Sequence, residues 1–378
     1  MKYQILSMLV NGAGAANLLA AHSSGSVFSL NFDQTTLKQT GVVSGDMAGP
    51  SWITLATDKT GTKKAYIADS SGANAVSATY DVDADGQLKN PVIGQSPTGV
   101  VHSVLFGNGY YAGARYDNGS IFTQALPLDD KSAVLQSFVY TMSAPGPNAD
   151  RQQSPHPHAT FTDPTGCYLL VPDLGADLIR IFRIGSSGKL TECPAAATQG
   201  GDGPRHGAFW KSPTSKAVNL YMVNELGNSI THWNVKYGAK CMELTSAKTL
   251  SSYPADKPGK AGSKTAEIQV KDNFVYLSNR GDETFGTQQD SIATYAIDPA
   301  TGDIEFLELT NAHGYMPRHF EIHPEGHLVA IAGQTSSNVA IVERNETTGK
   351  LGNLLANLEV GAVGDVNKGD GLNAVVWV

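Results

Sequence analysis

Histidine, arginine and glutamate side chains recur directly beside short apolar runs, and together they suit proton transfer on an anionic substrate. A neutral imidazole takes or gives a proton near its ordinary pKa of about 6.5, so His158 is a candidate acid or base. Arginine presents a planar fork that binds a carboxylate or phosphate through two hydrogen bonds. The arginines placed for this are Arg205, Arg280 and Arg318. Glu225, close to such cations, is either a base or the partner of an arginine.

Other motifs with chemical potential are less specific. His156 and His158 are two residues apart and, with Asp173, could imitate a metal site, but no further ligand cluster accompanies them and we expect no metal. The absence of a Gly-x-Ser-x-Gly elbow weakens a serine-hydrolase hypothesis. The glycine-rich run at 200–203 has no helix after it, which argues against a phosphate-binding loop.

The elements that must position these residues are repeated hairpins. The segment from Ser154 to Ile184 has an apolar run, an Asp-Pro-Thr-Gly turn and a second apolar run that ends at Asp173. The same layout begins again at several places, which are Pro50, Val101, Pro157, Pro204, Ala266 and Pro317. These starts lie roughly 47 to 62 residues apart, the size of one four-stranded β-propeller blade.

The two ends of the chain complement each other as one further blade. From Asn17 the sequence predicts three strands without a leading strand, and Gly371 to Val378 predicts a leading strand with nothing after it. Pairing the two adds a seventh blade to six complete units and removes the open sheet edges. The 40 glycines and the 16% of charged residues fit many tight turns and short strands. We therefore predict an all-β, seven-bladed β-propeller over residues 17–378.

The strand order of a blade predicts which side chains surround the channel mouth. The first strand lines the channel and the second runs antiparallel beside it, so the start of the first and the end of the second share one mouth. The first-strand positions are Ser51, His102, His158, Arg205, Arg318 and Asn373. The second-strand positions are His22, Asp69, Arg115, Asp173, Glu225, Arg280 and Gln334. Neither set contains an aliphatic residue, which predicts a polar pocket. His206 and His319 each follow a pocket arginine and, by strand alternation, are predicted to pack on the opposite face.

A Pro-rich insert, Met142 to His158, separates two of the units. Loops of this length in a compact repeat fold are more often functional than short ones. We therefore expect the insert to contribute to the pocket.

Charge and cysteine content limit the partners of the chain. The formal net charge of -8, without a basic cluster, argues against nucleic acid and against anionic membrane surfaces. The expected partner is a small anionic molecule. Cys167, Cys193 and Cys241 fit neither a metal spacing nor an even disulfide set, so buried or free thiols are expected. The alternative is a Cys193–Cys241 bridge in an exported chain.

The start of the chain bears on its location. Met1 to Ala16 has an early lysine, a short apolar run and an Ala-Gly-Ala ending, which resemble a signal peptide, and the alternative is an additional N-terminal strand. Acceptor sequons at Asn118 and Asn345 are compatible with export. These features favour an extracellular over a cytoplasmic location, and a monomer is expected.

Five stretches of the chain resemble one protein family: PHPHATFTDPTGCYLLVPDLGADLIRIF, GDGPRHGAFW, YMVNELGNSIT, VYLSNRGD and YMPRHFEIHPEG. The resemblance is to the seven-bladed propeller lactonase family, which includes bacterial 6-phosphogluconolactonases and fungal 3-carboxy-cis,cis-muconate cyclases, and it covers the chain from Asn17 onward. Matched by motif, it implies a site of His158, Arg205, Glu225 and Arg280. It also implies Arg151 and Gln152 as ligands before the His-Pro-His segment, and no cofactor.

The resemblance implies chemistry on a lactone. The secretion-like start and the NLLAAHSSGSVFSL opening are more similar to the fungal cyclase branch, so our first expectation is a cycloisomerase that closes a lactone on a carboxylated diene. Arginines hold the substrate carboxylates in that reaction, and His158 or Glu225 supplies the proton. Two alternatives remain open: a lactone hydrolase of the 6-phosphogluconolactonase type, and an exported, non-catalytic propeller used in binding or adhesion.

Overall fold

The computed structural model describes residues 15–72 and 75–378, which form 28 β-strands in seven four-stranded antiparallel sheets. Each sheet is one blade of a propeller, and this confirms the predicted all-β, seven-bladed fold. Within these two ranges no helix has the length and apolar character needed to cross a membrane.

The blades are numbered by the order of their strands in the chain, and each blade is given from the channel outward. Blade 1 has β28 (Leu372–Trp377), β1 (Ala16–His22), β2 (Ser26–Phe32) and β3 (Leu37–Ser44). Blade 2 has β4 (Pro50–Thr57), β5 (Lys63–Asp69), β6 (Val76–Val82) and β7 (Leu88–Gln95). Blade 3 has β8 (Val100–Phe106), β9 (Tyr110–Arg115), β10 (Ser120–Ala125) and β11 (Val134–Val139). Blade 4 has β12 (Phe161–Thr162), β13 (Tyr168–Asp173), β14 (Leu178–Ile184) and β15 (Leu190–Ala197).

The last three blades follow the same pattern. Blade 5 has β16 (Pro204–Lys211), β17 (Val218–Asn224), β18 (Ser229–Tyr237) and β19 (Met242–Ser251). Blade 6 has β20 (Lys264–Lys271), β21 (Phe274–Arg280), β22 (Ser291–Ile297) and β23 (Ile304–Asn311). Blade 7 has β24 (Pro317–Ile322), β25 (Leu328–Gly333), β26 (Asn338–Arg344) and β27 (Leu351–Glu359).

The ring is closed by hydrogen bonding between the two ends of the chain. β28 lies antiparallel to β1, with Leu18 opposite Trp377 and Ala20 opposite Val375. The last strand therefore supplies the missing first strand of blade 1, as the sequence predicts. β1 begins at Ala16, one residue before the predicted start of the propeller. The signal-peptide hypothesis concerns residues that, up to Gly14, lie outside the described ranges.

The hydrophobic core lies between neighbouring blades. Tyr221 and Val223 of blade 5, for example, pack with Val275 and Leu277 of blade 6, and all four side chains are buried. Both faces of a middle strand are covered by adjacent blades, so these strands are apolar almost throughout. The outermost strands are largely exposed, as in β27. Repeated strand patterns thus produce repeated interfaces, which hold the first strands around a common channel.

Most innermost strands carry a β-bulge close to one end of the channel. The register against the second strand shifts at Pro50/Trp52, Val100/His102, Pro204/His206 and Pro317/His319. In a bulge two consecutive residues stand opposite one, so the alternation of side chains is interrupted. Arg205 and His206 consequently both face the channel, and His319 faces it as well. The prediction that His206 and His319 turn to the opposite face is therefore wrong.

A disulfide joins two adjacent blades at the outer edge of the propeller. Cys193 on β15 is bonded to Cys241, which directly precedes β19, and their Cα atoms are 5.7 Å apart. Cys167 is exposed and unpaired. The first expectation, that the cysteines are buried or free thiols, is wrong for this pair, and the alternative of a Cys193–Cys241 bridge is correct.

Candidate active site at one channel mouth

Two successive groups of side chains line the channel near the bulges. The group closer to the mouth, here called the mouth layer, consists of Ser51, Val101, His158, Arg205, Arg318 and Asn373. The deeper group, here called the histidine layer, consists of Trp52, His102, His206, Glu267 and His319. The prediction that His102 lies at the mouth is corrected, because the bulge in β8 places Val101 there. His102 instead stacks on Trp52 with ring centroids 3.9 Å apart.

Glu225 is the centre of the charged cluster at the mouth. Its Oε2 lies 3.0 Å from Nε of Arg205 and 2.9 Å from Nη2 of Arg280, and its Oε1 lies 2.6 Å from Nη2 of Arg151. Burial alone raises the pKa of Glu225, but the guanidinium groups of Arg280, Arg151 and Arg205 outweigh it and hold this pKa well below its ordinary value. Glu225 is therefore a fixed anion, and its geometry agrees with the alternative that it is an arginine partner rather than a base.

Glu225 and Arg280 reach the mouth because of the residue that precedes each of them. Asn224 and Asn279 point into their own sheets, where each Nδ2 donates to a serine hydroxyl of the next strand at 2.9 Å and 3.0 Å. Side chains alternate along a strand, so the following residue projects to the other side. In both cases that side is the mouth of the channel.

On the second strand of blade 3, the predicted mouth residue Arg115 is replaced by the residue after it. Arg115 turns away from the mouth and donates through Nε to the carbonyl oxygen of Thr98 at 2.7 Å. The next residue, Tyr116, lies at the mouth, with its ring centroid 5.4 Å from that of His158. The sequence analysis missed Tyr116, although its position directly after a second strand, like that of Glu225, was a usable signal.

Asp173, predicted as a substrate ligand, is not in the pocket. Its carboxylate is fully buried, with Oδ2 2.7 Å from Nη2 of Arg180 and Oδ1 accepting the backbone N–H of His156 at 2.7 Å. The ring of His156 bonds the carbonyl oxygen of Tyr116 through Nδ1 at 2.9 Å, and its Nε2 lies 3.4 Å from the hydroxyl of Ser154. These contacts fix the start of blade 4 and separate His156 and Asp173 from His158.

The insert loop places one arginine over the mouth. Gln152, predicted as a ligand, is fully buried and ties the loop down instead: its Nε2 donates to Leu174 O at 3.0 Å and its Oε1 accepts Asn148 N–H at 3.1 Å. The neighbouring Arg151 is partly exposed and donates through Nη2 to the hydroxyl of Tyr116 at 3.2 Å as well as to Glu225. Arg151 thus lies at the site, whereas Gln152 positions it.

His158 is a buried, neutral histidine beside these cations. Its Nδ1 lies 3.2 Å from Nε2 of His206, and its own Nε2 has no hydrogen bond to any residue in 15–72 or 75–378. Burial lowers the pKa of His158, and Arg205, His206, Arg318 and Arg280 lower it further. An imidazole that is neutral at pH 7 is able to accept a proton.

Arg318 is a pocket guanidinium with no partner among the residues that the structure describes. It forms no ion pair or hydrogen bond with the described part of the chain. Burial and the nearby Arg280 lower the pKa of Arg318 to about 10, which leaves it charged at neutral pH. Lys264, which the sequence analysis missed, adds a further amine near Arg151 and Glu225, and burial lowers its pKa. Positive charge therefore exceeds negative charge at the mouth, which suits an anion.

The potential metal ligands that converge in the described ranges are His323, Glu325 and His327. They lie on the hairpin between β24 and β25, at the end of β24 opposite to the mouth. His156, His158 and Asp173 do not converge, so nothing in their geometry suggests a metal-binding triad.

Comparison with known proteins places the chain among lactonases. The family described as "Lactonase, 7-bladed beta-propeller" matches residues 16–368. A "Probable 6-phosphogluconolactonase" of Arthroderma benhamiae is 31% identical over 348 residues, which are 91% of this chain and 86% of that protein. A 6-phosphogluconolactonase of Bacillus subtilis is 29% identical over 312 residues, which are 81% of this chain and 83% of that protein.

A solved structure supports the same fold. The periplasmic gluconolactonase of Pseudomonas aeruginosa superposes with a TM-score of 0.79 and covers 97% of this chain and 99% of its own. Its sequence is 24% identical, so this likeness concerns the fold alone.

Proposed function

The chain belongs to the lactonase family of seven-bladed β-propellers, and we therefore propose that it hydrolyses the lactone of an acidic sugar at the mouth-layer pocket. The observation that carries the proposal is the pairing of an unpartnered guanidinium, Arg318, with a neutral imidazole, His158, in one buried recess. The guanidinium of Arg318 suits binding of an anionic substrate, and the imidazole of His158 suits activation of water.

Hydrolysis replaces cycloisomerisation as the leading hypothesis. The two relatives with the sequence matches given above are named as 6-phosphogluconolactonases, and neither is named as a muconate cyclase. Lactone hydrolysis needs one base, one anion-binding group and donors for an oxyanion, and the pocket contains candidates for each. The relatives therefore favour the alternative of a sugar-lactone hydrolase, and we propose a phosphorylated aldonolactone as the substrate.

Arg318 is the proposed anchor for the substrate anion. Arg205, Arg280 and Arg151 contact the carboxylate of Glu225 directly, whereas Arg318 has no carboxylate within ion-pair distance in the described chain and interacts with Glu225 and Glu267 only from farther away. A phosphate or carboxylate that reaches it gains a charge-assisted, bidentate contact. The recess around Arg318 and His158 is narrow, with about 180 Å³ of empty space, so most of the sugar extends outward toward Tyr116 and Arg151.

His158 is the proposed general base. Its unbonded Nε2 takes a proton from a water molecule as the water oxygen attacks the lactone carbonyl carbon. The carbonyl oxygen becomes an oxyanion, which the guanidinium of Arg280 stabilises. When the tetrahedral intermediate collapses, the bond between the carbonyl carbon and the ring oxygen breaks, and the imidazolium of His158 returns its proton to the leaving alkoxide. The product is an open-chain hydroxy acid, and no cofactor takes part.

The test is an assay of purified protein with three compounds. We expect hydrolysis of 6-phosphogluconolactone above its spontaneous rate, slower hydrolysis of unphosphorylated gluconolactone, and no loss of diene absorbance with 3-carboxy-cis,cis-muconate. His158→Asn should lower kcat about 10² to 10⁴-fold, the usual contribution of a general base. Turnover of the muconate instead would restore the cycloisomerase hypothesis, and turnover of none of the three compounds would reject the proposed function.

A matched variant separates a specific role of Arg318 from a general effect of losing an arginine. Arg183 lies on β14 and is exposed. We expect Arg318→Ala to raise KM and lower kcat/KM for the phosphorylated lactone about 10- to 150-fold, since hydrogen bonds to a charged group contribute about 1.5 to 3 kcal/mol. Arg183→Ala should retain wild-type kinetics. Equal losses in both variants would argue against Arg318 as the substrate anchor.

A further inference from the structure

A chain of hydrogen bonds leads from the mouth layer into the histidine layer. Nδ1 of His158 lies 3.2 Å from Nε2 of His206, and Nδ1 of His206 lies 3.1 Å from Oε1 and 3.0 Å from Oε2 of Glu267. All three residues are at most 5% exposed. The β-bulge makes this possible, because it turns His206 toward the channel directly behind His158.

The side chain of Glu267 lies where it can accept hydrogen bonds from its neighbours. Its Oε1 accepts the backbone N–H of Ile268 at 3.0 Å. Nδ1 of His319 accepts the backbone N–H of Val375 at 3.3 Å, so the ring proton of neutral His319 is on Nε2, which lies 3.9 Å from Oε2 of Glu267. Burial raises the pKa of Glu267, while His319 and Arg205 lower it. Burial outweighs these neighbours, so the pKa of Glu267 is raised overall, and the Ile268 N–H at Oε1 is the contact that favours a carboxylate.

This carboxylate determines which ring nitrogens carry protons. A carboxylate only accepts, so the proton of neutral His206 is on Nδ1 and its Nε2 has a free lone pair. That lone pair accepts from Nδ1–H of His158. The remaining nitrogen of His158, Nε2, is then unprotonated, and it is the nitrogen without a hydrogen bond in the described chain. Each assignment follows from the bond before it.

We propose that Glu267 and His206 are positioning residues, which hold His158 in the tautomer whose Nε2 faces the pocket as a base. This inference deepens the proposed function and rests on it. The two residues touch neither water nor sugar in the reaction; they orient the imidazole and stabilise the imidazolium that forms when His158 takes a proton. Changing a carboxylate in such a role to an amide has a large effect, because the amide also stabilises the wrong tautomer.

The space around Glu267 can accommodate glutamine at this position. A cavity of about 220 Å³ adjoins the histidine layer, lined by Glu267, His319, Gln269 and Glu321 among others. Gln269 and Glu321 lie two residues beyond Glu267 and His319 on the same strands, so the cavity is on the side away from the mouth. It has room for several water molecules. Glu267→Gln keeps the side-chain shape and leaves its free amide group next to this space.

The decisive measurement does not depend on turnover. Two-dimensional NMR of protein labelled with ¹⁵N-histidine distinguishes the two neutral tautomers by their nitrogen shifts, and His158→Asn identifies the signals of His158. At pH 7.5 we expect the wild-type protein to show Nδ1–H, and Glu267→Gln to shift His158 partly or fully to Nε2–H. An Nε2–H tautomer in the wild type, or no change in Glu267→Gln, would overturn the proposal even if the protein is an active lactonase.

Activity then tests the consequence for catalysis. Glu267→Gln should lower kcat by up to about 10⁴-fold with little change in KM, since loss of tautomer control in a comparable hydrogen-bonded triad costs about that much. Glu321→Gln is the matched control: it is a half-buried glutamate of the same cavity, its side chain accepts Trp377 N–H at 2.5 Å rather than bonding a histidine, and the variant should retain wild-type kinetics and tautomer. Equal kcat for Glu267→Gln and wild type would overturn the proposal, whereas an inactive wild type with the expected tautomers would reject the lactonase function instead.

Discussion

Nε of Arg205 lies 3.0 Å from Oε2 of Glu225, and both side chains are almost completely buried beside the channel. The contact joins two strands of blade 5, and it also holds the anion on which Arg151 of the insert loop and Arg280 of blade 6 converge. The carboxylate of Glu225 therefore both holds these strands and the insert loop together and balances part of the positive charge of the site.

Loss of that carboxylate should destabilise the protein. In Glu225→Gln three guanidinium groups lose their shared counter-charge in a buried position, and breaking a buried pair by removal of one partner typically costs about 3 to 5 kcal/mol. Urea denaturation followed by tryptophan fluorescence measures the loss. The control is Glu243→Gln, which removes the exposed pair with Lys236 and should cost about 1 kcal/mol or less. Equal stabilities of the two variants would show that the buried cluster is not a stabilising unit.

Binding of the reaction product should stabilise the protein without turnover. We expect 6-phosphogluconate to raise the melting temperature, because a ligand present at 100 times its Kd adds about 2.7 kcal/mol to the free energy of unfolding. Differential scanning fluorimetry measures the shift at increasing ligand concentration. In Arg318→Ala the shift should be largely lost, and in Arg183→Ala it should be retained. An undiminished shift in Arg318→Ala would place the anion elsewhere.

The buried histidines should make the protein less stable in acid. Burial lowers the pKa of His102, and the nearby His206, His319 and Arg205 lower it further, so the folded protein keeps this ring neutral. The unfolded chain binds a proton there below pH about 6.5, and the stability that depends on a neutral His102 is therefore present above that pH and lost as the pH falls.

The comparison of wild type with His102→Asn isolates this contribution. Asparagine still offers an acceptor for the backbone N–H of Thr160, which His102 binds at 3.3 Å. Glu267 and Glu321, whose pKa burial raises, act in the opposite direction but contribute to both proteins. Between pH 7.5 and 5.0 the free energy of unfolding of wild type should fall relative to that of the variant by up to about 2 kcal/mol. Parallel pH profiles would contradict a neutral, buried His102.

Removal of the disulfide should destabilise the contact between blades 4 and 5. The bridge spans 48 residues of sequence, and a closed loop of this length is expected to contribute about 4 kcal/mol. We expect Cys193→Ser/Cys241→Ser to show a correspondingly lower denaturation midpoint. Cys167→Ser, which removes the exposed free thiol, should have no such effect. Unchanged stability of the double variant would mean that the packing of the blades alone sets the stability.

The extracellular location and the monomeric state stay predictions.

Much of the architecture is readable from local patterns. Apolar runs separated by Gly-containing turns recur at nearly constant spacing. Because the strands of a blade are consecutive in the chain, their order follows from the sequence of that short stretch. The incomplete ends predict ring closure for the same reason, since an unpaired first strand and a blade without one satisfy each other's hydrogen bonds. The positions of Glu225 and Arg280 follow from counting along second strands, and the structure does bring them to one mouth with His158 and Arg205.

The failed predictions for the channel have two physical causes. Counting by two along a strand assumes an unbroken ladder of hydrogen bonds, whereas Arg205, Arg318 and Val101 each occupy a bulge. Asp173 and Gln152 have side chains polar enough for a ligand, but Arg180 and a backbone N–H already bind Asp173, and backbone groups already bind Gln152.

The sequence by itself determined the repeat, the number of blades and the types of residue available at the mouth, because these depend on short stretches of chain. Only the tertiary structure decided that His206 stands behind His158 and that Glu267 of the next blade stands behind His206. Those contacts join three blades, and they depend on where the bulges set the first strands against one another around the channel. His158 and Glu267 are 109 positions apart in the chain, and hydrogen bonds through His206 connect them in the folded protein.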